Sequence, residues 1–303
     1  MKPIFVGSGV ALVTPFNEDG KIDFDVFSRL IEFQILNKTD AIIVCGTTGE
    51  GSTLTVDERL KLFDVAVRQV SGRVPVIAGT GSNSTAFSVE LMKEAEKCGI
   101  DAHLSVSPYY NKASQKGIAA HYYTLADSSS KPIIVYNVPT RTGVNILPET
   151  YKELSKHPNI IAAKEADTSI TKLQKSISLC GDALDFYIGN DDMIAAATLI
   201  GCKGVISVLA NIMPLFTHNL TYAAINEDVS ACVKMQSASL DIIDCLFSDV
   251  SPIPVKYAME HIYGVSSVCR LPLCPMSNSN CENVKAILNK HNAEFSVESV
   301  NFN

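Results

Sequence analysis

Residues 159–166 read Asn-Ile-Ile-Ala-Ala-Lys-Glu-Ala, an apolar run that ends on a lysine. In a buried strand, Ala162 and Lys164 share one face, and the two alanines leave room around the amine. Burial disfavours the ammonium form, so the pKa falls and a nucleophilic amine becomes available. A strand-end lysine that merely reaches solvent is the alternative use of the same position. Four other stretches carry candidate chemistry. Gly46-Thr47-Thr48-Gly49-Glu50 offers two hydroxyls and backbone N–H groups between glycines, a small anion cradle. Ser107-Pro108-Tyr109-Tyr110-Asn111 and the 136–143 stretch, Tyr136 through Arg141 to Gly143, add phenols and an arginine. Gly189-Asn190-Asp191-Asp192 adds carboxylates. A lysine attacking a keto group, a tyrosine moving protons and two anion sites form a consistent set. No His, Asp or Glu cluster has metal-ligand spacing, which disfavours a metal-dependent aldolase and predicts no cofactor.

These groups need a scaffold that gathers strand ends. Short apolar runs recur at 9–14, 41–45, 74–79, 102–107, 132–137, 160–164, 184–189 and 204–209. Most are continuous rather than alternating, which marks parallel strands covered on both faces. Amphipathic helical patterns lie between them, as at 23–37, where Phe24, Phe27, Leu30, Ile31 and Ile35 recur at helical spacing. Thr55-Val56-Asp57-Glu58 reads as a capping box, and Pro148 opens a further helix. Eight strand–helix units predict an α/β protein, a (β/α)8 TIM barrel whose active groups stand at the C-terminal strand ends. A doubly wound sheet wants GxGxxG after the first strand, whereas Gly7-Ser8-Gly9 is expected to precede it. Beyond residue 226 the strands stop, and helices are expected at 229–247, 253–263 and 280–289. The predicted division is a catalytic barrel over 1–226 and a small three-helix domain over 227–303.

The 303 residues are 47% hydrophobic and 19% charged, enough apolar material for a large core. A net charge of −7 argues against nucleic acid or an anionic membrane as partner. No apolar run reaches the length of a membrane span, and glycines and Pro15 interrupt the N-terminal apolar stretch, so no signal peptide is expected. Nine cysteines without a CxxC pair fit a reducing, cytoplasmic location.

Taken in order and spacing, the 46–50, 109–111, 136–143 and 164–166 motifs resemble the dihydrodipicolinate synthase family, a branch of the pyruvate-dependent class I aldolases. Gly204-Val205-Ile206-Ser207-Val208 and Arg270-Leu271-Pro272-Leu273 extend the likeness to nearly the whole chain. The resemblance implies that Lys164 forms a Schiff base with pyruvate and that Tyr136 relays protons. Thr47 would connect Tyr136 to Tyr110 of a neighbouring subunit. Thr48 would hold the pyruvate carboxylate, Arg141 that of aspartate semialdehyde, and Gly189 and Ile206 would supply backbone contacts. It further implies lysine and diaminopimelate biosynthesis, an obligate dimer and a homotetramer. Asp167-Thr168 replaces a frequent Ser-Gly pair, and Ile188 a small residue, without removing a catalytic group.

N-acetylneuraminate lyase and 2-keto-3-deoxygluconate aldolase share the lysine and tyrosine and form the alternative reading. Paired Thr47-Thr48 with Arg141 favours a short carboxylate-bearing aldehyde over a sugar. A silent barrel acting as a scaffold is a third reading, disfavoured by the intact reactive set. Positions resembling the family's lysine effector site are Ser52, Val56, Arg59, Asn83 and Phe87. Val56, Arg59 and Phe87 cannot pair with an ammonium, so weak or absent feedback inhibition is expected. An exposed Leu, Ile and Met set on the 211–222 and C-terminal helices is expected at a second interface.

Overall fold

Eight short parallel strands pair in chain order and close on themselves in a computed structural model that describes residues 2–291 and 302. They are β1 (Gly7–Ala11), β2 (Ala41–Val44), β3 (Val76–Gly79), β4 (Ala102–Val106), β5 (Ile133–Asn137), β6 (Ile160–Glu165), β7 (Asp185–Ile188) and β8 (Gly204–Ser207). The chain is a (β/α)8 barrel. Alternation along each strand divides the side chains into two layers. Ala11, Ala41, Ile43, Ile134, Ala162 and Ile206 point inward with Tyr136 and Tyr187. Val10, Ile42, Val44, Val135 and Ala163 point outward against the helices. Small and branched residues facing one another fill the interior without a pore.

The first strand begins at Gly7, two positions before the expected start, so Gly7-Ser8-Gly9 lies within it. The cause is the closing seam, where Gly7 pairs with Gly204. A Cβ at Gly204 would stand 1.8 Å from the Gly7 carbonyl oxygen, and its φ of +151° favours glycine.

The outer helices are α1 (Phe24–Leu36), α2 (Val56–Val70), α3 (Thr85–Lys97), α4 (Gln115–Asp127), α5 (Pro139–Thr142), α6 (Pro148–Leu154), α7 (Ile170–Cys180), α8 (Ile194–Leu199) and α9 (Pro214–Ile225). Side-chain caps start several of them. Asp23 accepts from Val26 N at α1, and Thr55 and Glu58 form the expected capping box at α2. Helix α5 is a single turn inside what the sequence reads as a loop, with Pro139 at its first position. The apolar residues over 211–222 do not form an exposed set. Ile212, Met213 and Leu220 are fully buried against the barrel.

Three further helices follow: α10 (Val229–Leu246), α11 (Ile253–Tyr263) and α12 (Asn278–Lys290). They lie within a residue or two of the expected ends. Leu246, Val255, Met259 and Leu288 join one continuous core with Leu12, Val13 and Phe16 beside β1. Among the described residues, no helix is long and apolar enough to cross a membrane.

Candidate active site

Lys164 stands next to last in β6, facing inward like Ala162. Only 6% of it is exposed, and its ammonium lies 4.6 Å from the centroid of the Tyr136 ring. The ladder explains the pairing, because Tyr136 of β5 is the direct partner of Lys164. Burial lowers the lysine pKa to about 8, with the Asp191 carboxylate opposing the shift and Arg141 reinforcing it. Gly189 makes the space. A Cβ there would stand 2.8 Å from Lys164 Cε, so a larger residue would displace the amine. Ile206 of β8 belongs to the same interior layer and is fully buried.

Tyr136 is itself buried, which raises its phenol pKa, while Arg141 and the adjacent Thr47 side chain pull it back. Thr47 belongs to the turn after β2. That turn is tightly wound: Glu50 N donates to Thr47 O at 3.0 Å and Gly51 N to Gly46 O at 3.1 Å. Two non-glycine residues flank it in left-handed conformation, Cys45 at φ +57° and Glu50 at φ +51°. The N–H groups of Thr47 and Thr48 donate no hydrogen bond among the described residues. Free donors of this kind suit an anion. A cavity of about 270 Å³ opens over Thr47, Tyr136 and Arg141 and runs on to Ser52, Arg59 and Tyr109. Thr48, Lys164, Gly189 and Ile206 do not line it. Lys164 meets it through the Tyr136 ring.

Tyr110 stands apart from this group. It is 89% exposed, with φ +73°, and its N–H donates to Thr142 O at 3.4 Å. One chain therefore brings Tyr136, Thr47 and Arg141 to one mouth, with Lys164 against the Tyr136 ring, and leaves Tyr110 exposed to solvent.

The family model described as the dihydrodipicolinate synthetase family matches residues 4–291. The chain belongs to this family. The 4-hydroxy-tetrahydrodipicolinate synthase of Caldicellulosiruptor saccharolyticus is 51% identical over 286 residues, covering 94% of this chain and 97% of its own length. The dihydrodipicolinate synthase crystal structure from Aquifex aeolicus is 39% identical with a TM-score of 0.93, over 97% of this chain and 100% of that one. The chloride-inhibited synthase of Acinetobacter baumannii, solved with pyruvate, is 35% identical with a TM-score of 0.93, over 96% and 99% of the two chains.

This member of the synthase family holds charged groups around the site that the sequence reading left without roles. Asp191 is buried, and its Oδ2 accepts from Val208 N and Leu209 N at 3.0 and 2.8 Å. It is the carboxylate whose charge acts on Lys164. Glu165 turns the opposite way, out of the barrel, and accepts from Asn137 Nδ2 at 2.8 Å and Tyr151 hydroxyl at 2.9 Å. Strand alternation predicts that outward turn once Lys164 is placed inward. Glu50 is buried and paired with Lys256, 206 positions later, and nothing local in the sequence signals such a partner. Among the described residues, no group of three or more His, Cys, Asp or Glu side chains could hold a metal ion.

Proposed function

We propose that the chain condenses pyruvate with L-aspartate 4-semialdehyde to 4-hydroxy-tetrahydrodipicolinate, as a lyase of lysine and diaminopimelate biosynthesis working through a Lys164 Schiff base. The observation that carries this reading is a buried lysine, its pKa lowered to about 8, set against the Tyr136 ring beside a cavity that Arg141 lines. Neutral Lys164 Nζ attacks the keto carbon of pyruvate, and the carbonyl oxygen leaves as water. The iminium withdraws electrons from the methyl group, and the Tyr136 hydroxyl relays the released proton, passing its own on as it takes one up. The proton ends on the oxygen of the aldehyde once the enamine has added to it. The enamine carbon then attacks the aldehyde, and the aldehyde's own amine displaces Lys164 as the ring closes.

Thr48 and the free amides of the 46–50 turn receive the pyruvate carboxylate. Arg141 receives the carboxylate of the semialdehyde, since a planar guanidinium matches two oxygens. Gly189 and Ile206 shape the pocket with their backbone. No cofactor beyond the covalent imine is needed. Thr47 passes protons between Tyr136 and Tyr110 of a second subunit, a role supported by the exposure of Tyr110 in the single chain. The working unit is then a dimer, doubled into a tetramer. Residues 1–226 act as the catalytic barrel and 227–291 as a helical unit bracing it; most of the remainder of the expected 227–303 domain lies outside the described residues. A cytoplasmic location is supported by nine free cysteines.

Turnover with pyruvate plus aspartate semialdehyde should far exceed turnover with pyruvate plus N-acetylmannosamine, and borohydride with pyruvate should add mass to Lys164. Preference for the sugar overturns the assignment. Lysine should inhibit weakly or not at all. Val56 and Phe87 line a separate recess, while Ser52 and Arg59 line the main cavity. That recess also holds Glu90 and Glu94, carboxylates that work against the expectation, and strong inhibition by sub-millimolar lysine would sink it.

A further inference from the structure

The turn carrying Thr47 and Thr48 is tied to the C-terminal helices by a buried ion pair. Lys256 of α11 is 1% exposed, and its ammonium donates to Glu50 Oε1 at 2.7 Å. Its other contacts are the Thr14 carbonyl at 3.0 Å, the Val268 carbonyl and the Phe16 ring, 4.3 Å to the centroid. The second oxygen of Glu50 accepts from Arg270 N at 2.9 Å. Both oxygens of Glu50 are thus held by residues beyond 250. The guanidinium of Arg270 grips Glu58 at 2.6 and 2.9 Å and the Gly20 carbonyl, so the ties extend to the start of α2.

Glu50 sits two positions after Thr48 with φ +51° and ψ +34°. A left-handed glutamate persists only where its surroundings fix it. The neighbouring glycines leave no slack: a Cβ at Gly49 would stand 2.9 Å from Leu12 O, and one at Gly51 2.3 Å from Cys45 O. Thr14 Oγ1 also donates to Gly49 O at 2.7 Å, while the Thr14 carbonyl receives Lys256. A second tie reaches the other anion site, where Arg141 Nη2 donates to Ser251 O at 3.2 Å, just before α11.

We propose that Lys256 is a positioning residue for substrate binding: through Glu50 it sets the 46–50 turn in the shape that receives the pyruvate carboxylate. The proposal rests on the cradle role given to Thr48 above. Lys256 touches no substrate. It acts by fixing the direction of the Thr47 and Thr48 N–H groups, and small misplacements of such donors weaken binding.

The test is steady-state kinetics of the double variant E50Q/K256M beside Thr48→Ala. Removing both charges leaves no stranded ion, so the fold survives with a melting temperature near the parent. Its pyruvate KM should rise about tenfold, with kcat within about threefold and the aldehyde KM near the parent value. Thr48→Ala should raise the pyruvate KM as well. A parental pyruvate KM in the double variant with a raised one in Thr48→Ala overturns the proposal and leaves the cradle reading intact. A parental KM in Thr48→Ala overturns the cradle reading itself. If both substrates lose affinity together with a fallen melting temperature, Lys256 is structural only and the proposal fails. Should the double variant not fold, E50Q/K256Q, which also removes both charges but keeps a neutral hydrogen bond between the two positions, takes its place under the same criteria.

Discussion

Lys164 and Lys256 are both buried, and both lie over an aromatic ring, at 4.6 and 4.3 Å. They differ in what meets the nitrogen. Lys256 has a carboxylate oxygen at 2.7 Å and two backbone carbonyls as acceptors. Burial lowers its pKa, but Glu50 works against that shift. Lys164 has no hydrogen-bond acceptor among the described residues, and its largest charge effect is that of Asp191, whose Oδ2 accepts from two backbone amides. Burial therefore dominates at Lys164 and brings it to about 8. Burial alone does not make a lysine reactive. A buried amine becomes a nucleophile when its charge is left uncompensated and a substrate can reach it.

The comparison breaks most visibly in activity. Lys164→Ala should cost about 10⁴-fold or more in kcat, and borohydride with pyruvate should leave no adduct. Retained trapping would move the chemistry to another amine. In stability the two sites should respond with opposite signs to the same change. Lys256→Met strands Glu50 as a buried unpaired carboxylate and should cost about 3–5 kcal/mol in denaturant unfolding. A neutral outcome would mean the pair is no tie.

Lys164→Met should instead stabilise. The folded pKa of about 8 lies below the ordinary 10.5, so the unfolded chain binds more protons between those values. The parent's penalty is full below pH 8 and disappears as pH rises to 10.5. The Met variant should gain up to about 3 kcal/mol at pH 7, an advantage that fades across that window. A pH-independent difference would show that Lys164 is not destabilised by its charge. The same titration predicts that imine formation with pyruvate accelerates through pH 8 and then levels.

The smallest effect concerns Tyr110, which is exposed where both lysines are buried. Tyr110→Phe should slow turnover about tenfold. Mixing it with an inactive Lys164→Ala protein should restore activity once subunits exchange, because the Lys164→Ala subunit then lends its Tyr110 to the intact Lys164 of its partner. Full activity of the unmixed variant would remove Tyr110 from the relay.

Much of this was readable before any coordinates. Continuous apolar runs marked eight parallel strands, and strand ends named Lys164, Tyr136 and the 46–50 turn, because local pattern fixes period and length. The seam at Gly7 and Gly204 was not readable, since it arises only when the first and last strands meet. The burial of Ile212, Met213 and Leu220 is not legible in the sequence for a related reason: an apolar face does not say which neighbour will cover it.

The sequence by itself determined the repeat, the barrel and the presence of a lysine at a strand mouth. Those properties depend on residue type and spacing over a few neighbours. Tertiary structure alone decided which lysine is free. Lys256 meets Glu50 across 206 positions and has its charge compensated in place, whereas Lys164 finds a ring, a glycine and, among the described residues, no acceptor. Charge compensation in a protein interior is set by distances between groups far apart in the chain, and only folding establishes those distances.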